Sequence, residues 1–315
     1  MRIIFMGTPD FAVPSLEALL QSDDTVVGIV TQPDKPKGRG QTMAASPIKQ
    51  VAEKAGVPIA QPVKMKDPAF LEVLRAWQPD FIVVTAFGRI LPQIILDLPS
   101  KGCVNVHGSL LPKYRGAGPI QWALINGERE TGITTMMMDA GMDTGAMLLQ
   151  QRVAIDPDET AGSLSTKLAK VSGPLLIETL RRLKEGTLTP QPQDHSQATM
   201  APLLKKEDGQ IDWTASANEI ANRIRGLSPW PGAFSYAGGE RWTIWKAHPL
   251  QDSSADGEPG TAVAVTKDAV HVATGRGLLA VTELQPANSR RMTVQQYIAG
   301  HRLSPGFRLQ PQSPP

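Results

Sequence analysis

The chain has 315 residues, of which 41% are hydrophobic and 20% charged, and its formal net charge is +2. This length favours two domains, and the composition argues against disordered, collagen-like and membrane-spanning classes, since no run of about 18 apolar residues occurs. The small net charge permits a nucleic-acid partner without demanding one. Cys103 is the only cysteine, which excludes an intrachain disulfide and fits a reducing cytoplasm.

The first half of the chain alternates short apolar runs with stretches of helical periodicity. The apolar runs predict strands at residues 2–6, 25–31, 81–85 and 102–106. The periodic stretches predict helices at residues 11–20, 47–55 and 68–77. Continuous apolar strands that alternate with helices predict an α/β fold with a mostly parallel sheet covered on both faces.

The N-terminal apolar run is interrupted by Gly7 and Pro9. This interruption comes too early for the apolar region of a signal peptide, so a first strand is the better prediction. Gly7 permits a tight turn into a helix, as in dinucleotide-binding folds. The G-x-G-x-x-G pattern is absent, however, and Pro9 removes an N–H that would face a phosphate. A plain turn explains the segment at least as well, and an NAD-dependent dehydrogenase is disfavoured.

Residues 32–46 (QPDKPKGRGQTMAAS) are rich in glycine, proline and basic side chains and lack periodicity. This composition predicts a long exposed loop. Long loops without secondary structure often carry function, so we expect a functional segment here.

Asn105 and His107 lie at the end of the strand predicted at residues 102–106 and are followed by Gly108. Alternate residues of a strand share a face and span about 6.5 Å, so both side chains can reach one small substrate group. The carboxyl ends of buried parallel strands are where α/β folds place their sites. A structural histidine and a turn-forming asparagine are the alternative. The joint presence of Asn, His and Gly favours a site.

Neither a cysteine nucleophile nor a metal site is predicted. Cys103 and His107 are separated by about 13 Å along one strand, beyond hydrogen-bond reach, so Cys103 is expected to be a small buried apolar residue. The histidines show no ligand spacing with acidic residues at any of their positions, which are 107, 195, 248, 271 and 301. We therefore expect no metal.

The segment MDAGMDTG, residues 138–145, contains two acids and two glycines. One interpretation is a pair of Asx turns that close a hairpin. The other is a carboxylate that orients His107. The residues alone favour the turn and leave both interpretations open.

The second half contains a candidate linker followed by a different pattern. A helix is predicted at residues 164–183, and the polar, proline-containing residues 187–202 have the composition of a linker. A further helix is predicted at residues 216–225. Short strands are predicted at residues 233–236, 241–247, 261–265, 269–274 and 277–283. Their close spacing indicates a small β-barrel. We expect a domain at residues 1–188, a linker at 189–204 and a second domain at 205–315.

Trp213 and Trp230 lie in the segments 205–213 and 228–232. Tryptophan beside basic residues can form an RNA-stacking surface. Such residues are more often core and corner residues, which is the favoured interpretation.

Several segments together resemble the methionyl-tRNA formyltransferases, a family of the folate-dependent formyltransferase superfamily. The matching segments are MGTPDFAVPSLEAL, VTQPDKPKGRG, NVHGSLLPKYRGAGPIQWALINGERETGIT, MDAGMDTG, KKEDGQIDW and LSPWPGAFS. The superfamily shares only its Asn, His and SLLP core. The order of the segments and the C-terminal domain narrow the resemblance to the tRNA enzymes.

The resemblance implies a Rossmann-like N-terminal formyltransferase domain, a linker and a smaller C-terminal β-barrel similar to an OB fold. It implies transfer of the formyl group of 10-formyltetrahydrofolate to the α-amine of methionine on initiator methionyl-tRNA, for translation initiation. It also implies a monomeric, cytoplasmic enzyme with no metal and no membrane association.

The family's site residues have counterparts in this sequence. Its catalytic residues fall on Asn105, His107 and Asp143. Its folate-contacting segment falls on Ser109, Leu110, Leu111 and Pro112. Its basic loop, which contacts the acceptor end of tRNA, falls on residues 32–46, with Arg39 as the key contact.

The chemistry suggests a role for each catalytic residue. Attack of an amine on a formyl carbonyl places charge on oxygen, and protons must move. We expect Asn105 to donate to that oxygen and His107 to donate to it or to relay a proton to the leaving nitrogen. Asp143 is expected to hold the imidazole in orientation.

Three segments depart from the family pattern. Phe87-Gly88-Arg89 stands where a Tyr-Gly pair is expected, QTMAA follows Gly40 where basic residues are expected, and a Gly-Lys pair is missing after Ala287. A formyltransferase for an amino-sugar nucleotide, a 10-formyltetrahydrofolate hydrolase module and a folate- or RNA-binding protein without catalysis are the alternatives. The complete Asn-His-Asp set argues against the last, and the basic loop and C-terminal domain favour tRNA over a sugar.

Overall fold

The computed structural model describes residues 1–37, 42–250 and 257–310. The chain divides into two compact units. The first comprises Met1–Pro119, Glu130–Ala154 and Ser165–Pro202. The second comprises Ile120–Arg129, Ile155–Leu164 and Leu203–Pro315. Two short segments that precede residue 165 therefore belong to the second unit.

The first unit is built around one main sheet. The strands of this unit, of which β3 and β4 lie outside the main sheet, are β1 (Arg2–Gly7), β2 (Thr25–Val30), β3 (Lys35–Lys37), β4 (Thr42–Ala44), β5 (Ile59–Ala60), β6 (Phe81–Thr85), β7 (Cys103–His107), β8 (Glu130–Met137) and β9 (Met147–Ala154). The helices of the chain up to the end of this unit are α1 (Val13–Leu20), α2 (Pro47–Ala55), α3 (Pro68–Ala76), α4 (Gln93–Leu96), α5 (Pro119–Ile125) and α6 (Ala161–Glu185). Within the described ranges, no helix combines the length and apolar character needed to cross a lipid bilayer.

The strand order of the main sheet is β5-β2-β1-β6-β7-β8-β9. The pairs from β5 to β7 are parallel, and β8 and β9 continue antiparallel. The chain leaves β1 towards β2 on one side and returns to β6 on the other, so the strand order reverses beside β1. Ligand sites of α/β sheets lie at the carboxyl ends of strands near such a reversal. The predicted mostly parallel, Rossmann-like sheet is confirmed.

Local sequence signals explain why the helices begin and end where they do. Pro14 lies in the first turn of α1, where a missing N–H costs nothing. Ser46 caps α2, since its hydroxyl accepts from the N–H of Lys49 at 3.1 Å. Gly56 ends α2 in the left-handed conformation at φ 66°. Gly7 is required for packing, because a Cβ there would lie 2.7 Å from the Phe5 ring.

The segment at residues 32–46 differs from the predicted loop, because β3 and β4 pair as a short antiparallel ribbon. Its base is held by Asp34, which accepts hydrogen bonds from Lys49 Nζ at 2.6 Å and Gln61 Nε2 at 2.8 Å. A ribbon of two three-residue strands needs no apolar alternation, so hydrophobic periodicity did not reveal it. Arg39 lies outside the described residues.

The predicted linker is attached to the first unit as far as Pro202. Gln191 and Met147 exchange backbone hydrogen bonds of 2.8 Å in both directions. The N–H of Ala201 donates to the carbonyl of Arg115 at 2.7 Å. The polar composition is that of a segment without regular structure, but its backbone is bonded to the sheet unit.

The second unit contains an antiparallel sheet. Its strands are β10 (Ala233–Ala237), β11 (Glu240–Leu250), β12 (Ala262–Val265), β13 (Val270–Ala273), β14 (Leu278–Pro286), β15 (Met292–Thr293) and β16 (Leu309–Gln310), and the remaining helices are α7 (Ala217–Gly226) and α8 (Val294–Ile298). The order is β12-β13-β14-β11-β10-β16, and β15 pairs with β14. Ala262 and Leu309 donate across the two edges to Phe307 and Gly260, at 2.9 and 2.7 Å. The sheet therefore curls into the predicted barrel.

The two tryptophans of the sequence analysis have different environments in the second unit. Trp213 lies in the core, with 4% of its surface exposed, and its Nε1 donates to Ser235 Oγ at 3.0 Å. Trp230 is 49% exposed. The core interpretation is thus confirmed for Trp213 only.

Candidate active site

Asn105 and His107 project from the carboxyl end of β7. This strand lies inside the sheet, parallel to β6 and antiparallel to β8. Its apolar residues are buried because the sheet encloses it, whereas Asn105 keeps part of its surface exposed and His107 is 6% exposed. The strand alternation that predicted a shared face brings both side chains to one carboxylate.

That carboxylate belongs to Asp143, on the loop that follows β8. Its Oδ1 accepts from Asn105 Nδ2 at 3.2 Å. Its Oδ2 accepts from the N–H of Gly116 at 2.8 Å and lies 3.6 Å from His107 Nδ1. The structure therefore brings together the three residues that the family pattern selected.

The same loop contains the Asx turn that was the alternative interpretation. Asp139 accepts from the N–H of Gly141 at 3.0 Å and from the hydroxyl of Thr144 at 2.6 Å. Asp143 has a left-handed backbone at φ 53°, a conformation that Asp tolerates better than most residues. Each interpretation therefore applies to one aspartate: Asp139 closes the turn, and Asp143 faces His107.

The imidazole of His107 is held on both sides. Its Nε2 lies 2.9 Å from the carbonyl oxygen of Tyr114. A carbonyl can only accept, so Nε2 carries a proton, and Nδ1 is the nitrogen that faces Asp143. Tyr114 itself has φ 62°, which is uncommon for a residue with a Cβ.

The sequence did not reveal Tyr114 and Gly116 as parts of this arrangement. Tyr114 contributes a carbonyl and Gly116 an N–H, and every residue has such groups. The KYRGAG stretch around them matched the family pattern, and the glycine was the available signal. Gly116 has φ 117° and a Cβ there would lie 2.8 Å from the carbonyl oxygen of Ala201.

Cys103 takes no part in the arrangement. Its Sγ lies 3.7 Å from the carbonyl oxygen of Leu96, within an apolar cluster. Burial raises the pKa of the thiol to about 12, so the nucleophilic thiolate is scarce at neutral pH. The prediction of a small buried residue is confirmed.

The SLLP segment is fastened to β8 and β9. Thr134 on β8 donates to the carbonyl of Ser109 at 2.7 Å and accepts from the N–H of Leu111 at 3.1 Å. Gln150 on β9 donates to the carbonyl of Leu111 at 2.9 Å. These bonds hold the segment beside the carboxyl end of β7.

The four side chains of the segment differ in exposure. Ser109 and Leu111 are buried, and the hydroxyl of Ser109 donates to the carbonyl of Lys113 at 2.7 Å. Leu110 and Pro112 keep part of their surface exposed. Apolar contact with a ligand is therefore available from Leu110 and Pro112 in this conformation.

The departure at residues 87–89 has a structural explanation. The Phe87 ring is buried in the apolar cluster beside β6, where a tyrosine hydroxyl would need a hydrogen-bond partner. The backbone carbonyl of Phe87 accepts a hydrogen bond from Gln32 Nε2 at 2.9 Å. Arg89 Nη1 donates to the carbonyl of Val63 at 2.7 Å. The added charge thus supports a neighbouring loop.

The arrangement has the groups that acyl transfer to an amine requires. Among the described residues, the carboxamide of Asn105 makes only its bond to Asp143, so one N–H stays available to an incoming oxygen. The Asp143 carboxylate is 18% exposed and can accept a proton. The described residues include no group of three or more His, Cys, Asp or Glu placed to hold a metal ion.

The sequence matches two protein-family models. The model described as "Formyl transferase" covers residues 1–180, and that described as "Formyl transferase, C-terminal domain" covers residues 203–302. Two matched proteins are methionyl-tRNA formyltransferases. The one from Desulfotalea psychrophila is 52% identical over 96% of this chain and 94% of its own length. The one from Acetivibrio thermocellus is 51% identical over 97% of this chain and 98% of its own length.

Solved structures extend the likeness to the fold. An N-formyltransferase from Helicobacter canadensis, in complex with folinic acid and dTDP-3-aminofucose, superimposes with a TM-score of 0.68 at 18% identity. The match covers 89% of this chain and 98% of that one. At this identity it supports the fold alone. The family models and the relatives of about 50% identity show the family as well as the fold. The chain therefore belongs to the methionyl-tRNA formyltransferase family.

Proposed function

We propose that the chain transfers the formyl group of 10-formyltetrahydrofolate to the α-amine of methionine on initiator methionyl-tRNA. The observation that carries the proposal is the contact of Asn105 and His107 with Asp143 at the carboxyl end of β7. Family membership supports the proposal, since relatives named methionyl-tRNA formyltransferase are 52% and 51% identical over nearly the whole chain. The folate donor brings the formyl group, and the protein supplies the groups that hold and deprotonate the amine.

Each residue has a proposed step. The amine nitrogen attacks the formyl carbon, and the free N–H of Asn105 donates to the oxygen that becomes negative. The amine proton passes to Asp143, whose neighbour His107 orients the carboxylate and stabilises the charges that develop there. The bond from carbon to the folate nitrogen then breaks, and that nitrogen receives the proton. The amine thus loses one proton and the leaving nitrogen gains one.

The role that we propose for His107 differs from the one expected from the sequence. Its Nε2 proton is engaged by the Tyr114 carbonyl at 2.9 Å. Direct donation to the substrate oxygen would require that bond to break. We therefore assign the proton transfer to Asp143, and we assign to His107 the orientation of that carboxylate through Nδ1, which lies 3.6 Å from it.

We assign the binding of the folate donor to the segment Ser109, Leu110, Leu111 and Pro112. Support comes from its fixed position beside Asn105 and from the partly exposed side chains of Leu110 and Pro112. Ligand sites combine such apolar walls with a few placed polar groups. The buried hydroxyl of Ser109 is better suited to hold the loop than to contact folate.

We assign the binding of tRNA to the basic segment at residues 32–46, with Arg39, and to the C-terminal domain at residues 205–315. Support comes from the cations of the segment and from the family match of both parts of the chain. We also propose that residues 1–188 are the catalytic domain and 189–204 the linker, and that the protein is a cytoplasmic monomer. Light scattering of the purified protein tests the last point.

A formyltransferase for an amino-sugar nucleotide is the second candidate. Its support is the shared fold with the N-formyltransferase bound to dTDP-3-aminofucose. That protein is only 18% identical, whereas the tRNA enzymes are about 50% identical. The higher identity to the tRNA enzymes therefore favours tRNA as the acceptor.

The test is an acceptor competition. Purified protein is incubated with 10-formyltetrahydrofolate, methionyl-tRNA and a dTDP-amino sugar, and both products are quantified. Formylmethionyl-tRNA is the expected product, and the Asp143→Asn variant serves as the inactive control. Formylation of the sugar alone would establish the second candidate. Release of formate with neither acceptor would indicate a hydrolase.

A second arm tests the assignment of Arg39. Replacement of Arg39 by Ala is expected to weaken tRNA binding and to leave folate binding unchanged, because the contact is to a phosphate-rich acceptor. Both dissociation constants are measured on the same preparation. Equal losses for the two ligands would contradict the assignment.

A further inference from the structure

A segment that the sequence marked as linker is bonded to both loops of the candidate active site. This docked segment comprises residues 191–201. Its Gln193 is 6% exposed, although glutamine is usually found on the surface. A buried carboxamide in a polar, proline-containing segment needs an explanation in terms of the groups that it contacts.

The carboxamide of Gln193 uses both of its ends. Nε2 donates to the backbone carbonyls of Asp143, at 2.9 Å, and Gly145, at 2.7 Å. Oε1 accepts from Nε and Nη2 of Arg115, at 3.1 and 2.6 Å. The side chain therefore joins the loop that carries Asp143 to the loop of residues 114–116, which supplies the partners of His107 and Asp143.

The docked segment also holds that second loop through its backbone. Thr199 Oγ1 accepts from the N–H of Tyr114 at 2.9 Å, and its carbonyl accepts from the N–H of Arg115 at 2.8 Å. Ala201 continues the contact, because its N–H donates to the carbonyl of Arg115 at 2.7 Å. Residues 114 and 115 thus owe their position to the docked segment.

The consequence concerns the geometry around His107. Tyr114 contacts Nε2 of the ring through its carbonyl, and Gly116 donates to Asp143. Asp143 lies on the other loop, and its approach to Nδ1 of His107 is 3.6 Å. Asn105 and His107 are fixed on β7, so the position of the Asp143 loop decides whether the carboxylate meets them, and residues 114–116 help to set that position. Gln193 adds a second bridge between the loops, beside the bond from the Gly116 N–H to the Asp143 carboxylate.

We propose that Gln193 is a positioning residue for the transfer reaction, which holds the Asp143 loop so that the carboxylate faces Asn105 and His107. The inference rests on the proposed function, and it adds a residue outside the Asn-His-Asp set. Groups that support catalytic residues in this way are worth about 10- to 100-fold in activity. A displacement of about 1 Å in a reacting geometry has a comparable effect.

Two substitutions separate the two ends of the carboxamide. Gln193→Glu keeps the acceptors for Arg115 but removes the donors to the Asp143 and Gly145 carbonyls. Gln193→Ala removes both ends and leaves the buried guanidinium of Arg115 without its main acceptor. If Gln193 acts through the Asp143 loop, both variants lose activity. Gln193→Glu turns an oxygen towards two carbonyls and Gln193→Ala leaves Arg115 without its acceptor, so the melting temperature of each variant is measured beside its kcat.

The matched control is Gln191→Ala in the same docked segment. Gln191 is exposed, and its side chain contacts only the carbonyl of Thr189, at 3.4 Å, among the described residues. Its backbone bonds to Met147 do not depend on the side chain. This variant therefore reports any general disturbance of the segment.

The readouts are steady-state formylation kinetics, melting temperature and the ¹⁵N shifts of the His107 ring. For Gln193→Glu we expect kcat to fall about 10- to 100-fold with little change of either KM, because the substrates are still bound but the carboxylate is misplaced. The Nδ1 shift of His107 is expected to move in both Gln193 variants. Gln191→Ala is expected to match the wild type in all three measurements.

Wild-type kcat in Gln193→Glu together with unchanged His107 shifts would overturn the positioning role. An equal loss in Gln191→Ala would overturn it too, since the effect would then belong to the segment as a whole. A wild-type protein without formylation activity would overturn the proposed function alone. The His107 shifts would still decide the role of Gln193, because they require no turnover.

Discussion

The carbonyl oxygen of Tyr114 lies 2.9 Å from Nε2 of His107 and thereby fixes which ring nitrogen is protonated. Because Nε2–H is already bonded, the ring presents Nδ1 to Asp143. Of the three residues, Asn105 is then the one whose free N–H can reach a substrate oxygen without breaking a bond in the protein. The proposed mechanism therefore assigns oxyanion stabilisation and proton movement to different side chains.

Replacement of Asn105 by Ala is expected to lower kcat by about 10² to 10³, the usual effect of losing one oxyanion donor. The fold should tolerate the change, since Asn105 is partly exposed and one hydrogen bond contributes about 0.5–1.5 kcal/mol. Single-turnover formylation and thermal unfolding are the measurements. Gln151→Ala, an exposed carboxamide on β9, is the control. Near-normal turnover in Asn105→Ala would remove Asn105 from the mechanism.

Replacement of Asp143 by Asn should abolish most activity and leave the loop intact. Asn fits the left-handed backbone at φ 53° and has nearly the same shape, but it is neutral and accepts no proton from an amine. Asp139→Asn on the same loop is the matched control, because Asp139 only closes the turn. Comparable kcat values in the two variants would contradict the assignment of Asp143 as proton acceptor.

Cys103 should resist alkylation in the native protein. Burial raises the pKa of its thiol from 9.0 to about 12, so the thiolate fraction at about pH 8 is roughly a thousandfold below that of an unfolded chain. Iodoacetamide labelling followed by mass spectrometry should show slow modification in buffer and rapid modification in urea. Native labelling at the unfolded rate would show that the thiol is not buried as described.

Acid should weaken the base of the β3–β4 ribbon. The hydrogen bonds from Lys49 and then Gln61 hold the pKa of Asp34 below its usual value of 3.8. A carboxyl with a lowered folded pKa contributes stability that is complete above its unfolded pKa and is lost as the pH falls through the folded pKa.

The measurement is urea unfolding of the wild type and Asp34→Asn between about pH 7 and pH 2. The two proteins should differ most in unfolding free energy near neutral pH and converge in acid. Asp23→Asn, at an exposed position of the first unit, should show no such trend. A difference that grows as the pH falls would reverse the expected sign.

Elements with local signals were predictable from the sequence. The strand β6 (Phe81–Thr85), with its apolar run, and the helix α2 (Pro47–Ala55) stand at the predicted positions. Strand β9 (Met147–Ala154) was missed, because three consecutive polar residues interrupt its apolar pattern and its position is fixed by pairing with β8. The short helix α5 (Pro119–Ile125) was missed too. Its partly buried residues Trp122 and Ile125 pack against the core of the second unit, a contact that no local pattern predicts.

By itself, the sequence determined the family and the alternation of Asn105 and His107 on one strand, because both depend on residue identity and short spacing. The residues alone left open which aspartate meets them, and the family resemblance indicated Asp143. The tertiary structure brings that carboxylate into contact with them across the 38 residues that separate Asp143 from Asn105 in the chain. It also decided that the Tyr114 carbonyl, the Gly116 N–H and the Gln193 carboxamide complete the arrangement. Backbone groups are the same in every residue, and the composition of a polar linker does not show whether its residues are hydrogen-bonded to a domain. Only the path of the chain through the fold shows which of these groups reach the site.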